Sequence, residues 1–206
     1  MEPTGTEEPR AMSTTDLRIV DPPPREVRQM VPSPVLGMLI FILTEIMLFA
    51  GFISAFAISR ASADAWPPPD QPRLPLEETA INTVALLLSG ALVYWAGRRF
   101  ASSPARARLP MLAGMGLGVF FVAFQGVEWW SLLSDGLTVT SSTYGGFFYL
   151  LVGAHGLHAI GGLALLVWMT VRLQAGRLES DMFWAGRIFW YFVVLLWPFL
   201  YWQVYL

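Results

Sequence analysis

Five apolar stretches, each long enough to cross a lipid bilayer, constrain this 206-residue chain more than any other feature. They run from about Pro34 to Ser59, Leu76 to Ala96, Leu109 to Leu133, Tyr144 to Leu173 and Ala185 to Leu206. A hydrocarbon core about 30 Å thick needs roughly 20 residues of helix. Lipid offers an open backbone no partner, so each stretch must close its hydrogen bonds within itself, as a helix does. Strand-like alternation is nowhere sustained over such lengths, which argues against a barrel. The expected fold is all-α, a polytopic membrane protein whose residues 34–206 form a bundle of five transmembrane helices. Composition agrees, with 55% hydrophobic and only 14% charged residues, against about a quarter charged in soluble domains.

Residues 1–33 read differently. Glu2, Glu7, Glu8, four arginines and the run Pro22–Pro24 carry almost no apolar periodicity, and the expectation is a flexible cytoplasmic extension. Its acidic start lacks the basic lead into an apolar stretch that marks a secretory signal.

Arginine sets the orientation. The first segment holds Arg10, Arg18, Arg25 and Arg28, the second loop Arg98, Arg99, Arg106 and Arg108, and the fourth Arg172, Arg177 and Arg187. If five helices alternate, these segments share one side and hold eleven of the thirteen arginines. The other side has Arg60 and Arg73 beside Asp64, Asp70, Glu77, Glu78 and Asp135. The positive-inside rule then puts the N-terminus in the cytoplasm and the C-terminus outside. Tyr201, Trp202 and Tyr205 are expected to form an outer aromatic belt.

What the chain lacks bounds its chemistry. It has no cysteine, hence no disulfide, c-type haem attachment, thiolate zinc or Cys-ligated copper. Its two histidines, His155 and His158, are too few for several haems, and a net charge of −2 without lysine suggests no nucleic-acid partner. No cofactor is expected in this chain.

The ionisable residues inside the spans carry the remaining information. Glu45 sits near the middle of the first, and Glu128 lies in the outer half of the third, three residues after Gln125. His155 and His158 are three apart on the fourth and share a face. Both lie roughly 11–14 residues into an inward-running helix, about 17–21 Å deep and level with Glu45. The expectation is that Glu45, Glu128, His155 and His158 face one interior between helices one, three and four. Glu45 and a histidine would pair directly there, with Glu128 at the outer edge.

Four roles compete for this set. A metal site would rest on a weak His pair, and carboxylate-bridged bundles use a larger ligand set. The two glutamates could be links in a proton path, or could hydrogen-bond between helices and fix the packing. The packing role is preferred because no continuous polar stripe is evident. Lipid head-group binding suits the Arg clusters, with Arg98, Arg99 and Arg172 as candidate contacts. Gly114 and Gly118, and the glycines 153, 156, 161 and 162, read as sites of close helix approach. The nine Trp and fourteen Phe read mostly as interface and lipid-facing bulk.

From about Gly37 to the C-terminus the chain resembles subunit III of the haem-copper oxidases, of the cytochrome c oxidase type, in a short five-helix form. The segment 37–49, ending Thr44-Glu45-Ile46-Met47-Leu48-Phe49, is similar to the family's first conserved helix and its membrane Glu. Trp66-Pro67-Pro68, Leu74-Pro75, Asn82-Thr83, Leu86-Leu87-Leu88-Ser89, Gln125, Glu128, Asp135, Tyr144-Gly145 and Phe147-Phe148 follow in family order. His155-Gly156-Leu157-His158 with Gly161 resembles the most specific signature. The last helix departs from the pattern, with Tyr191 where the family has His and Val194 where it has Asp. The resemblance does not extend to two further N-terminal helices of longer members, which help enclose bound phospholipid.

The resemblance implies a non-catalytic subunit of a proton-pumping respiratory terminal oxidase in a bacterial cell membrane. Such a subunit has no redox centre of its own, stabilises the catalytic subunit and supports proton uptake during oxygen reduction. Haem and copper would belong to its partners, catalytic subunit I and other oxidase subunits, with membrane lipids in contact. The alternatives are an accessory subunit of a nitric oxide reductase system and a small proton-coupled carrier. A carrier would often show an inverted repeat or broken helices, and neither is evident.

Overall fold

The computed structural model describes residues 31–69 and 71–206 and is all-helical among them. The expected extension lies almost wholly outside the described residues. Five helices follow in order: α1 (Ser33–Ala61), α2 (Leu76–Phe100), α3 (Pro104–Ser134), α4 (Thr143–Gln174) and α5 (Ser180–Tyr205). All five are long and apolar enough to span a membrane. α3 and α5 each begin about five residues before the apolar run does. Hydropathy marks only the part of a helix in hydrocarbon, whereas the helix continues into the head groups through Arg106 and Arg108, or through Asp181.

Local signals set the ends. Pro34 and Pro104 sit in the first turns of α1 and α3, where a missing N–H costs nothing. The Ser142 hydroxyl caps α4 by accepting from the Gly145 N–H at 3.1 Å. α3 and α4 both stop at a left-handed glycine, Gly136 (φ +92°) and Gly176 (φ +67°). In each case the next amide bonds back five residues, Leu137 N to Leu132 O and Arg177 N to Arg172 O, both at 2.9 Å. These bonds satisfy carbonyls that the helix end leaves open.

α5 is the hub. It packs on α1, α2 and α4, while α2 and α3 form the most extensive pair and α3 also meets α4. α1 touches only α4 and α5. The Trp190 ring of α5 explains two of the glycines: a Cβ on Gly118 of α3 would come within 2.9 Å of it, and one on Gly162 of α4 within 2.8 Å. Gly114 serves the α2–α3 contact instead, where a Cβ would lie 3.1 Å from the Ser89 carbonyl.

Most of the Trp and Phe stand outside the buried core, as expected, but a minority do not, and the expected belt is corrected in part. Trp190 and Trp197, with Phe49, Phe56, Phe121, Phe148 and Phe183, are fully buried and fill the core rather than the lipid surface. Lipid cannot drive helices together hydrophobically, so shape-filling rings between small residues carry the packing. Of the proposed aromatic belt, Trp202 is exposed but Tyr205 is buried. The last turn of α5 aims it at the α2–α3 pair instead, within 3.4 Å of the Gln125 amide.

Candidate functional site

The intramembrane polar residues fall into two groups, not one. At the first, Glu45 Oε2 of α1 and His158 Nε2 of α4 are 2.9 Å apart, each side chain 14% exposed. Nδ1 of the same ring is 2.7 Å from the Ala154 carbonyl one turn back. A carbonyl only accepts, so Nδ1 carries a proton and donates it. Nε2 and the carboxyl then share one further proton, held either as acid and neutral imidazole or as carboxylate and imidazolium. Either way the pair is neutral as a whole, which suits its depth in the membrane. Phe49 meets the imidazole edge-on at 5.3 Å, and Phe189 and Phe192 flank it.

The second group lies where α2 and α3 meet the end of α5. Glu128 Oε2 accepts from the Gln125 amide at 2.7 Å. Thr79 Oγ lies 3.0 Å from that oxygen and 2.7 Å from the Pro75 carbonyl. The Gln125 amide also reaches the Tyr205 hydroxyl at 3.4 Å. Glu128, Gln125 and Thr79 are all buried.

His155 joins neither group. It is buried with no hydrogen-bond partner at either ring nitrogen. Its ring lies 4.9 Å from that of Trp197 at a 32° tilt and meets Phe121 nearly edge-on. The expectation of one interior shared by Glu45, Glu128, His155 and His158 is therefore corrected. Positions three apart on a helix differ by about 60° in direction, enough here to send His158 towards α1 and His155 into the α3–α5 core. α1 and α3 do not touch, so Glu45 and Glu128 have no common space.

Sequence reasoning also missed a buried polar stripe on α2: Thr79, Asn82, Thr83 and Ser89. Asn82 donates to the Phe121 carbonyl at 3.1 Å, and the Trp197 indole donates to Thr83 at 2.9 Å. Ser89 donates to the Gly114 carbonyl at 2.6 Å and accepts from the Trp190 indole at 3.2 Å. Their helical spacing was the available signal, but none of them is ionisable. Glu45–His158 is the one ion pair among the described residues, and no three His, Asp or Glu side chains converge there to hold a metal.

The arginines named for lipid contact are exposed at one end of the bundle. The Arg99 guanidinium lies 5.8 Å from the Trp95 ring, and that of Arg172 lies 5.0 Å from Trp168. Arg98 stands beside Arg99 in the last turn of α2.

Comparison with known proteins matches residues 29–206 to the family model described as cytochrome c oxidase subunit III. A Nocardia farcinica protein named "Probable cytochrome c oxidase subunit 3" is 32% identical over 167 residues, covering 78% of this chain and 81% of that protein. Cytochrome c oxidase subunit 3 of Ornithorhynchus anatinus is 33% identical over 179 residues, covering 82% of this chain and 67% of the relative. The Arabidopsis thaliana protein of the same name is 34% identical, with 82% and 66% covered.

Proposed function

The chain belongs to the cytochrome c oxidase subunit III family, and on that premise we propose that it supports a catalytic partner without a redox centre of its own. It is an integral membrane subunit of a haem-copper oxidase. Its proposed partner is catalytic subunit I, which with other oxidase subunits would hold the haem and copper. Its proposed role is to stabilise that partner and to sustain proton uptake during oxygen reduction. The proposed setting is a bacterial cell membrane, with the N-terminus in the cytoplasm and the C-terminus outside. Phospholipid head groups at Arg98, Arg99 and Arg172 belong to the same reading. The family match favours neither a nitric oxide reductase accessory subunit nor a small carrier.

The observation that carries the role is the Glu45–His158 pair. α1 is held by α4 and α5 alone, and this is the ion pair that fastens it. The pair keeps one exchangeable proton at mid-membrane while remaining neutral, and its partial exposure leaves that proton within reach of a neighbour. Glu128, Gln125 and His155 complete the proposed polar set as packing residues, since each is buried inside the bundle.

Purification in mild detergent tests the reading. Haem absorbance and oxygen uptake should co-purify with this chain, and the isolated chain should carry no stoichiometric haem or copper. Co-purification with haem-free proteins alone would overturn it.

A further inference from the structure

Glu128 ends a short run of polar groups that leads to one end of the bundle. Its carboxyl meets the Thr79 hydroxyl of α2 through both oxygens, Oε2 at 3.0 Å and Oε1 at 3.2 Å. That hydroxyl has a single proton, and its shortest contact is 2.7 Å to the Pro75 carbonyl, which can only accept. The proton between Thr79 and Glu128 is therefore the carboxyl's own, and Glu128 stands as a neutral acid. The seam around it is short of donors, not of acceptors: Gln125 Oε1 and Asn82 Oδ1 are buried without a hydrogen-bond partner. No cation among the described residues lies within ion-pair distance of Glu128. A carboxylate held there would add a further acceptor and a buried charge.

The Tyr205 hydroxyl of α5 bonds to Thr79 and lies 3.4 Å from the Gln125 amide. The same residue lines a cavity of about 410 Å³, with Arg60, Trp66, Arg73 and Tyr144 among its other walls. Arg60 and Arg73 are exposed, so water reaches this cavity from the Leu206 end of the bundle. Tyr205 is 8% exposed and stands between that water and Thr79. Of the titratable groups facing the carboxyl, Glu78 comes from α2 and Tyr205 from α5, with Tyr144 of α4 behind Tyr205.

We propose that Glu128, beyond its packing role, is a proton-binding site loaded and emptied from the Leu206 end through Thr79 and Tyr205. To empty it, the carboxyl O–H bond breaks as Thr79 Oγ takes the proton. The Thr79 proton leaves the Pro75 carbonyl for Tyr205 Oη, and the Tyr205 proton passes to water in the cavity. One proton leaves, no electron moves, and the reverse order loads the site. It is separate from the Glu45–His158 proton, because α1 and α3 do not touch. Oxygen turnover need not change for this proton to move, so the site stands apart from the proposed oxidase role.

The test takes the full chain, with the subunits that accompany it, reconstituted in one orientation into lipid vesicles and followed by infrared spectroscopy. Exposed carboxyls are ionised at neutral pH, so a protonated-carboxyl C=O band reports buried acids. The expected result is such a band that disappears in Glu128→Gln, a change that keeps the size of the side chain. Raising the pH on the Leu206 side should remove this band from the native protein, and raising it on the opposite side should not. Tyr205→Phe should slow that loss about a hundredfold, the low end for removing a positioned proton-transfer group, at unchanged amide bands. Tyr94→Phe, at an exposed tyrosine towards the other end of α2, should keep the native rate. A native band that ignores the pH on the Leu206 side, or follows only the opposite side, would overturn the proposal, and needs no variant to fold. So would an unchanged band in Glu128→Gln, or the native rate in Tyr205→Phe.

Discussion

The His158 imidazole bridges two helices, donating from Nδ1 to the Ala154 carbonyl of its own α4 and meeting Glu45 of α1 at Nε2. The first bond fixes a proton on Nδ1, which leaves Nε2 and the Glu45 carboxyl to share one further proton. A contact defined to this degree separates packing from proton chemistry by substitution.

Glu45→Ala removes the partner of Nε2 and should release α1, so that the subunit is lost from the complex and sustained oxygen turnover declines. Glu45→Gln should keep assembly, because its amide can still donate to Nε2, but it cannot hold the shared proton. A double-mutant cycle of Glu45→Ala with His158→Ala should give a coupling of about 1–2 kcal/mol, the upper range for hydrogen bonds between membrane helices. Additive effects of the two substitutions would show that the pair contributes nothing. Complete loss of oxygen chemistry in a fully assembled Glu45→Gln complex would refute the supporting role.

Trp190 predicts opposite outcomes at two neighbouring glycines. A Cβ on Gly162 would come within 2.8 Å of a fully buried ring that has no room to retreat. Gly162→Ala should therefore destabilise the bundle by about 1–3 kcal/mol, the usual cost of overpacking. At Gly161 nothing lies within 4 Å, and Ala should be neutral or slightly stabilising through its better helix propensity. Thermal unfolding of the two variants in detergent checks the contrast.

Ser89 ties three helices together, donating to Gly114 of α3 and accepting from Trp190 of α5. Ser89→Ala leaves a buried indole N–H and a buried carbonyl each short of a bond, at a cost of about 1–3 kcal/mol. A fall in unfolding temperature is expected, with a blue-shifted tryptophan emission as the indole loses its partner. Unchanged stability would mean that the α2–α5 contact does not depend on the hydroxyl.

Much of this architecture was legible because span length is a property of single segments. Five runs gave five helices, and the glycines after Leu133 and Leu173 sit where left-handed stops are needed. The order of helices around the bundle was not legible. Each span is apolar on nearly every side, so no local pattern says that α5 stands between α1 and α2 or that α1 never meets α3. Attention to ionisable groups also hid the α2 stripe, since Thr79, Asn82, Thr83 and Ser89 are uncharged and bond across to α3 and α5. Trp190 and Tyr205 were misplaced for a related reason: an aromatic in an apolar run suits lipid and core equally.

Topology supplies the last prediction. Arg98 and Arg99 close α2, Arg106 and Arg108 open α3, and Arg172 ends α4. Arg108 donates to the Gln174 carbonyl at 3.2 Å, which brings the start of α3 and the end of α4 to one end of the bundle. Arg60 donates to the Gln203 carbonyl at the opposite end, where the only other arginine among the described residues is Arg73. The translocation machinery retains arginine-rich short loops in the cytoplasm, so the crowded end should face inward. A reporter active only outside the cytoplasm, fused after Leu206, should therefore be active. The same reporter in the loop between Phe100 and Pro104 should be silent. Reversed activities would invert the orientation.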